Sequence, residues 1–154
     1  MLKLVVSRFG LVVSLAVLAA CSRPDWTDVE GHAYRWSQFQ NQPVVVNVWA
    51  QWCAPCREEI PELNALYQQQ AALGVQVFGL HFDRPDSAAL SEQIAAMQVA
   101  FPVMFDIEDQ TLKDLWPEVL PSTYLFNAKG ELITTLIGPQ TKESILAAIG
   151  GEHE

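Results

Sequence analysis

Residues 44–56, Val44-Val45-Val46-Asn47-Val48-Trp49-Ala50-Gln51-Trp52-Cys53-Ala54-Pro55-Cys56, constrain the fold more than any other part of the chain. The first six are mostly β-branched, apolar and few, which suits a buried strand. Pro55 suits the first turn of a helix, where its missing N–H would be unpaired anyway. The segment therefore predicts a buried strand leading into a helix that carries two cysteines at its N-terminal end. Cys53 then meets the unpaired N–H groups and the positive end of the helix dipole, a setting that favours a thiolate. Cys56 lies one turn deeper on nearly the same face, within reach of a mixed disulfide formed at Cys53.

The start of the chain bears on which chemistry those sulfurs can perform. Lys3 and Arg8 precede or flank an apolar stretch from Phe9 to Leu18, too short for the roughly 20 residues of a membrane-spanning helix and patterned as a signal peptide. It ends in Leu18-Ala19-Ala20-Cys21, which resembles the bacterial lipobox. Residues 1–20 are therefore expected to be removed, Cys21 to be lipidated, and residues 21–25 to form a short tether. The remaining chain keeps 7 Lys+Arg against 18 Asp+Glu, since the removed part holds two cations (9 − 2) and no acid. An acidic surface of that kind does not adhere to anionic lipid by charge, so the acyl chains are the expected attachment. The absence of any basic run also argues against nucleic acid as a partner.

Export places the cysteine pair where disulfides persist. A bridge enclosing two residues constrains the unfolded chain very little, so a structural role is weak. A zinc site needs about four ligands, and there is no second Cys-x-x-Cys; His32, His81 and His153 are scattered without ligand spacing. No metal is expected. Redox chemistry is the reading that remains, with Cys53 as nucleophile, Cys56 as resolving cysteine, and the dithiol itself in place of any cofactor.

Trp52-Cys53-Ala54-Pro55-Cys56 after a buried strand resembles the active site of the thioredoxin superfamily, and more closely its membrane-tethered TlpA/ResA-type thiol-disulfide oxidoreductases. Residues 31–43 are similar to that family's entry hairpin, Pro61 to a proline inside the active-site helix, Val99 to Val103 to the segment after its additional helix, and Leu120-Pro121-Ser122-Thr123 to its cis-proline loop. The resemblance implies an α/β thioredoxin fold over residues 26–154, a mixed central sheet flanked by helices, with an N-terminal hairpin and an additional helix. It implies a Cys53–Cys56 redox disulfide, a cis bond at Pro121, and substrate contacts from Trp52, Ala54, Pro55, Leu120 and Pro121. It also implies disulfide-bearing envelope proteins as substrates, a membrane thiol electron donor and a monomer. The location is then the cell envelope, facing the periplasm or the extracellular side; Ser22 resembles the outer-membrane sorting signal of Gram-negative lipoproteins.

Along the rest of the chain, Ile60, Leu63, Leu66 and Leu73 mark the apolar positions of the active-site helix, with Tyr67 on its surface. Strands are predicted over 75–82, 101–105, 122–126 and 132–137, and helices from Asp86-Ser87 through Met97, over 109–116, and over 141–149 with Gly150-Gly151 beyond the end. Trp49 and Trp52 are expected to pack around the thiol, and Trp116 to sit in the core or on the rim. Glu59, three residues after Cys56 and similar to an acidic residue of the ResA-like group, is the candidate to take the Cys56 proton if burial raises its pKa. Asn47 stands where thioredoxins carry a buried Asp, which adds to the case for Glu59.

Other functions fit less well. A peroxiredoxin-like thiol peroxidase needs Thr or Ser where Ala50 stands and a preceding proline, and a copper-delivery protein of the Sco type needs Cys-x-x-x-Cys, although His81 gives it a distal histidine. A cytochrome c maturation thioredoxin of the DsbE/CcmG group is the alternative within the redox class; residues 115–122, Leu-Trp-Pro-Glu-Val-Leu-Pro-Ser, depart from the Gly-Val-x-Gly-x-Pro-Glu-Thr-like stretch usual there.

Overall fold

The computed structural model describes residues 23–127 and 129–151. The signal segment, Cys21 and Ser22 lie outside the described residues; the rest of the tether, residues 23–25, is described. Strands β1 (Trp26–Asp28) and β2 (Ala33–Tyr34) form the N-terminal hairpin. A single 3-10 turn, Trp36–Phe39, leads to β3 (Val44–Trp49) and helix α1 (Ala54–Leu73). Then come β4 (Gln76–His81), α2 (Ser87–Met97), β5 (Val103–Ile107), α3 (Gln110–Lys113), β6 (Ser122–Phe126), β7 (Leu132–Ile137) and α4 (Lys142–Gly150).

The strands make one sheet in the order β2-β1-β5-β4-β3-β6-β7. The β3–β4 and β4–β5 pairs are parallel and the others antiparallel. Parallel neighbours need crossovers, and α1 and α2 supply them. All six residues of β3 are buried, as a central strand covered on both faces requires. Its period-2 alternation divides the core. Val45 and Trp49 pack with Ile60, Leu63, Leu66, Leu90 and Ile145 of α1, α2 and α4. Val44, Val46 and Val48 face the other way, toward Trp26, Phe78, Leu112, Leu115 and Phe126. Asn47 therefore points with Val45 and Trp49 toward α1.

Local chemistry sets the element ends. Asp86, Asp109 and Thr141 cap α2, α3 and α4 through their side-chain oxygens. Gly74, at φ 65°, ends α1 in the left-handed conformation that glycine adopts without penalty. The hairpin turn is held by Asp28, whose carboxylate accepts from the Glu30 and His32 amides at 2.9 Å and from the Tyr34 hydroxyl at 2.8 Å.

Several boundaries differ from expectation. The strand expected at 101–105 starts at Val103, because Pro102 brings no N–H and its carbonyl instead accepts from Gly79. The helix expected over 109–116 stops at Lys113, ahead of Pro117, which disfavours helical geometry at the residue before it. Gly150 belongs to α4, and Gly151 caps it. Leu73 ends α1 and is exposed, while Tyr67 is half-buried against the core, not a surface residue.

Candidate active site

The turn after β3 brings Cys53 to the N-cap of α1, with Ala54 and Pro55 in the first helical turn. Cys53 and Cys56 form a disulfide with their Cα atoms 5.3 Å apart. The Cys56 amide donates to Cys53 Sγ at 3.2 Å. That bond puts one of the orphan N–H groups of the helix start on the sulfur, where it would also stabilise a thiolate. Cys53 is less open than its terminal place suggests: it is only 4% exposed, against 0% for Cys56, so the face that the pair shows to solvent belongs to Cys53.

That face opens into a groove of about 420 Å³. Four of the expected contact residues, Trp52, Ala54, Pro55 and Leu120, line it beside Cys53. The Leu120–Pro121 bond is cis, as expected. Pro121 itself is buried, and its carbonyl accepts from the Gly138 amide at the neighbouring strand end. The two tryptophans part company: Trp49 is fully buried in the core, whereas Trp52 is 62% exposed, its indole N–H donating to Asp83 Oδ2 at 2.8 Å. Trp116 lies on the exposed rim.

Behind the sulfurs sits Glu59, one turn beyond Cys56 and almost fully buried. Its Oε2 accepts from Asn47 Nδ2 at 2.9 Å. Its Oε1 accepts from the Gln140 amide at 3.1 Å and the Thr123 hydroxyl at 3.3 Å. Asn47 Nδ2 also donates to Thr123 Oγ1 at 2.9 Å, as their facing positions in the β3–β6 register allow. Burial pushes the Glu59 carboxyl up to about 7, with the bonds from Asn47, Gln140 and Thr123 opposing the rise. Desolvation wins because three donors replace only part of the water a carboxylate would hold. The result is a carboxyl that titrates near neutrality within one turn of a redox cysteine, the range a general base requires.

Sequence reasoning missed Thr123 and Gln140. Thr123 follows from pairing β3 against β6; Gln140 contributes its backbone amide, which carries no residue-type signal. His81, the distal histidine of the copper alternative, is buried away from any such role. Its Nδ1 accepts from the Asp83 amide and its Nε2 donates to Gln93 Oε1, so both ring nitrogens are engaged, and burial lowers its pKa. The redox group of the site is the disulfide.

Among the described residues no helix is long and apolar enough to cross a membrane. The AhpC/TSA family model matches residues 19–135. The chain is 32% identical to the thiol-disulfide oxidoreductase ResA of Geobacillus kaustophilus over 132 residues, 84% of this chain and 75% of that protein. Its fold is that of StoA from Bacillus subtilis, at a TM-score of 0.65 and 24% identity over 80% of this chain and 93% of that one. It is also that of a DsbE-type interchange protein from Chlorobium tepidum, at 0.62 and 24% over 84% and 100%. With the redox disulfide in place at the head of α1, the chain belongs to the ResA-like thiol-disulfide oxidoreductases of the thioredoxin superfamily.

Proposed function

We propose that this oxidoreductase works as a reductant of disulfides in other proteins of the cell envelope. The Cys53 thiolate attacks one sulfur of the substrate disulfide, forming a mixed disulfide and releasing the other sulfur as a thiolate that takes up a proton. Cys56 loses its proton and attacks Cys53 Sγ; the second substrate sulfur leaves, and the protein is left with the Cys53–Cys56 bond. Two electrons pass from the dithiol to the substrate, and a membrane thiol donor restores them. Glu59 is the base that receives the Cys56 proton, and Asn47 and Thr123 hold it in place. The observation that carries this reading is the pairing of the disulfide with a buried carboxyl one turn further along the same helix.

Attachment through a lipidated Cys21 keeps the domain near the membrane, since the four residues between Cys21 and Trp26 extend at most about 14 Å. The decisive experiment is capture in living cells with Cys56→Ser, which leaves Cys53 unable to be resolved. Envelope proteins recovered in mixed disulfides with Cys53 support the proposal; a Cys53 that captures nothing overturns it. The narrower reading, reduction of an apocytochrome c in the manner of DsbE-type maturation proteins, is the better supported of the two, by the ResA likeness together with the fold shared with a DsbE-type protein. The identity of the captured protein separates the two.

A further inference from the structure

Three consecutive residues after β4 perform one task. Phe82 packs edge-on against Trp52, with ring centroids 6.1 Å apart, and tilted against Trp116 at 4.8 Å. Asp83 accepts the Trp52 indole N–H. Arg84 lays its guanidinium over the Trp116 ring at 5.0 Å, and that guanidinium is itself held by the Lys113 carbonyl at 3.2 Å. Two indoles that are 62% and 52% exposed are thus fixed in place. Across the groove stand Pro117, Leu120 and the exposed Val119, with Cys53 at its end. Apolar side chains exposed together mark a surface that another molecule covers, and aromatic anchors held before binding lose little entropy on contact.

The occupant follows from continuity and charge. Whatever exchanges disulfides with Cys53 must lie over this groove, because the groove opens on that sulfur. Glu118 is the one charged residue lining it among the described residues, and the chain carries a net charge of −9. An anionic bilayer is disfavoured by that charge, and a cationic segment is favoured.

We propose that the groove between the Trp52–Phe82 aromatic wall and Val119 is a specificity pocket, taking an aromatic side chain next to the attacked half-cystine of an extended substrate segment, with a basic residue beside it facing Glu118. This rests on the reductase reading above. Asp83 is a positioning residue, acting through Trp52. The reaction is unchanged: the dithiol supplies two electrons, the substrate disulfide accepts them, and the pocket sets which disulfide arrives.

The test uses reduced protein and three short peptides, each carrying a single cysteine in a mixed disulfide with cysteamine and preceded by Lys-Trp, Lys-Gly or Glu-Trp. Release of peptide thiol is followed under single-turnover conditions. The Lys-Trp peptide is expected to react with about tenfold higher kcat/KM than Lys-Gly, the size of effect one well-packed aromatic anchor supplies, and several-fold higher than Glu-Trp. Val119→Glu, a change at an exposed position that does not endanger folding, should bring the Trp/Gly ratio close to one. Asp83→Ala should lower the ratio through KM, with the rate at saturation retained. Equal rates for Lys-Trp and Lys-Gly in the unaltered protein overturn the pocket, as does a ratio that survives Val119→Glu. Self-association that Val119→Glu abolishes, without peptide preference, assigns the groove to a second copy and also overturns it. Failure to exchange with any of the three peptides sinks the reductase reading instead, so the two failures are distinct.

Discussion

Asn47 Nδ2 lies 2.9 Å from Glu59 Oε2 and 2.9 Å from Thr123 Oγ1, so one amide group bridges the carboxyl of the active-site helix and a hydroxyl on the neighbouring strand. Because burial holds the Glu59 carboxyl at about 7, above its ordinary 4.5, the folded state binds this proton more tightly than the unfolded chain. The stability contributed by that proton is complete below pH 4.5 and is lost as pH rises through 7. Relative to Glu59→Gln, the oxidised protein should therefore lose about 3 kcal/mol between pH 4.5 and pH 8. Denaturant unfolding of both proteins at the two pH values checks this; parallel pH profiles would refute it.

The same carboxyl should be visible in the kinetics. Thiol-disulfide exchange by the unaltered protein should show an inflection near pH 7, and Glu59→Gln should slow turnover and remove it. Glu58 is exposed and sits about 100° around the helix, so Glu58→Gln should reproduce the unaltered profile. Rates measured from pH 5 to 9 decide the matter: if all three curves overlay, the Cys56 proton leaves by another route.

Thr123→Val offers a finer test. The change keeps the shape but removes a donor to Glu59 and the acceptor for Asn47. Both losses fall on buried groups, and about 1–3 kcal/mol of stability should go with them. The donor bond lowers the Glu59 pKa, so the kinetic inflection should move to higher pH. A shift downward would mean that Thr123 does not act on the charged form.

The two sulfurs should differ in reactivity. Cys53 receives the Cys56 amide and opens on the groove, whereas Cys56 is fully buried. In the reduced protein near neutral pH, Cys53 should alkylate at least about tenfold faster. Mass mapping of partially alkylated protein measures the ratio, and a faster Cys56 would reverse the assigned roles.

The proposed anchor at Cys21 should be separable from the chemistry. Cys21→Ala should abolish acylation and release the protein from the membrane fraction while exchange activity in extract is retained. Metabolic labelling with a fatty acid followed by fractionation checks both; an unaltered protein recovered wholly free of lipid contradicts the assignment.

What the sequence revealed depended on how far apart the cooperating residues lie. Val44 to Cys56 encode a strand, a turn and a helix start within thirteen residues, and that local pattern carries the redox pair and the fold. Glu59 was legible through helical spacing, one turn from Cys56. Its burial was not, because the groups that enclose it come from β3, β6 and the segment before α4. The aromatic wall was hidden for a similar reason: Trp52, Phe82 and Trp116 are spread over 65 positions, and only the return of β4 beside β3 brings the first two together. Segment ends failed where proline decided them, at Pro102 and Pro117.

The Gln140 amide gives Glu59 a listener at the far end of the chain. An N–H bonded to an ionised oxygen is held more strongly than one bonded to a neutral acid, and Gln140 immediately precedes the Thr141 cap of α4. Each time the carboxyl takes up a proton, the entry to the last helix loosens by part of one bond. The amide resonance and hydrogen-exchange rate of Gln140 thus become a native probe of whether Glu59 carries a proton, readable without any label near the sulfurs.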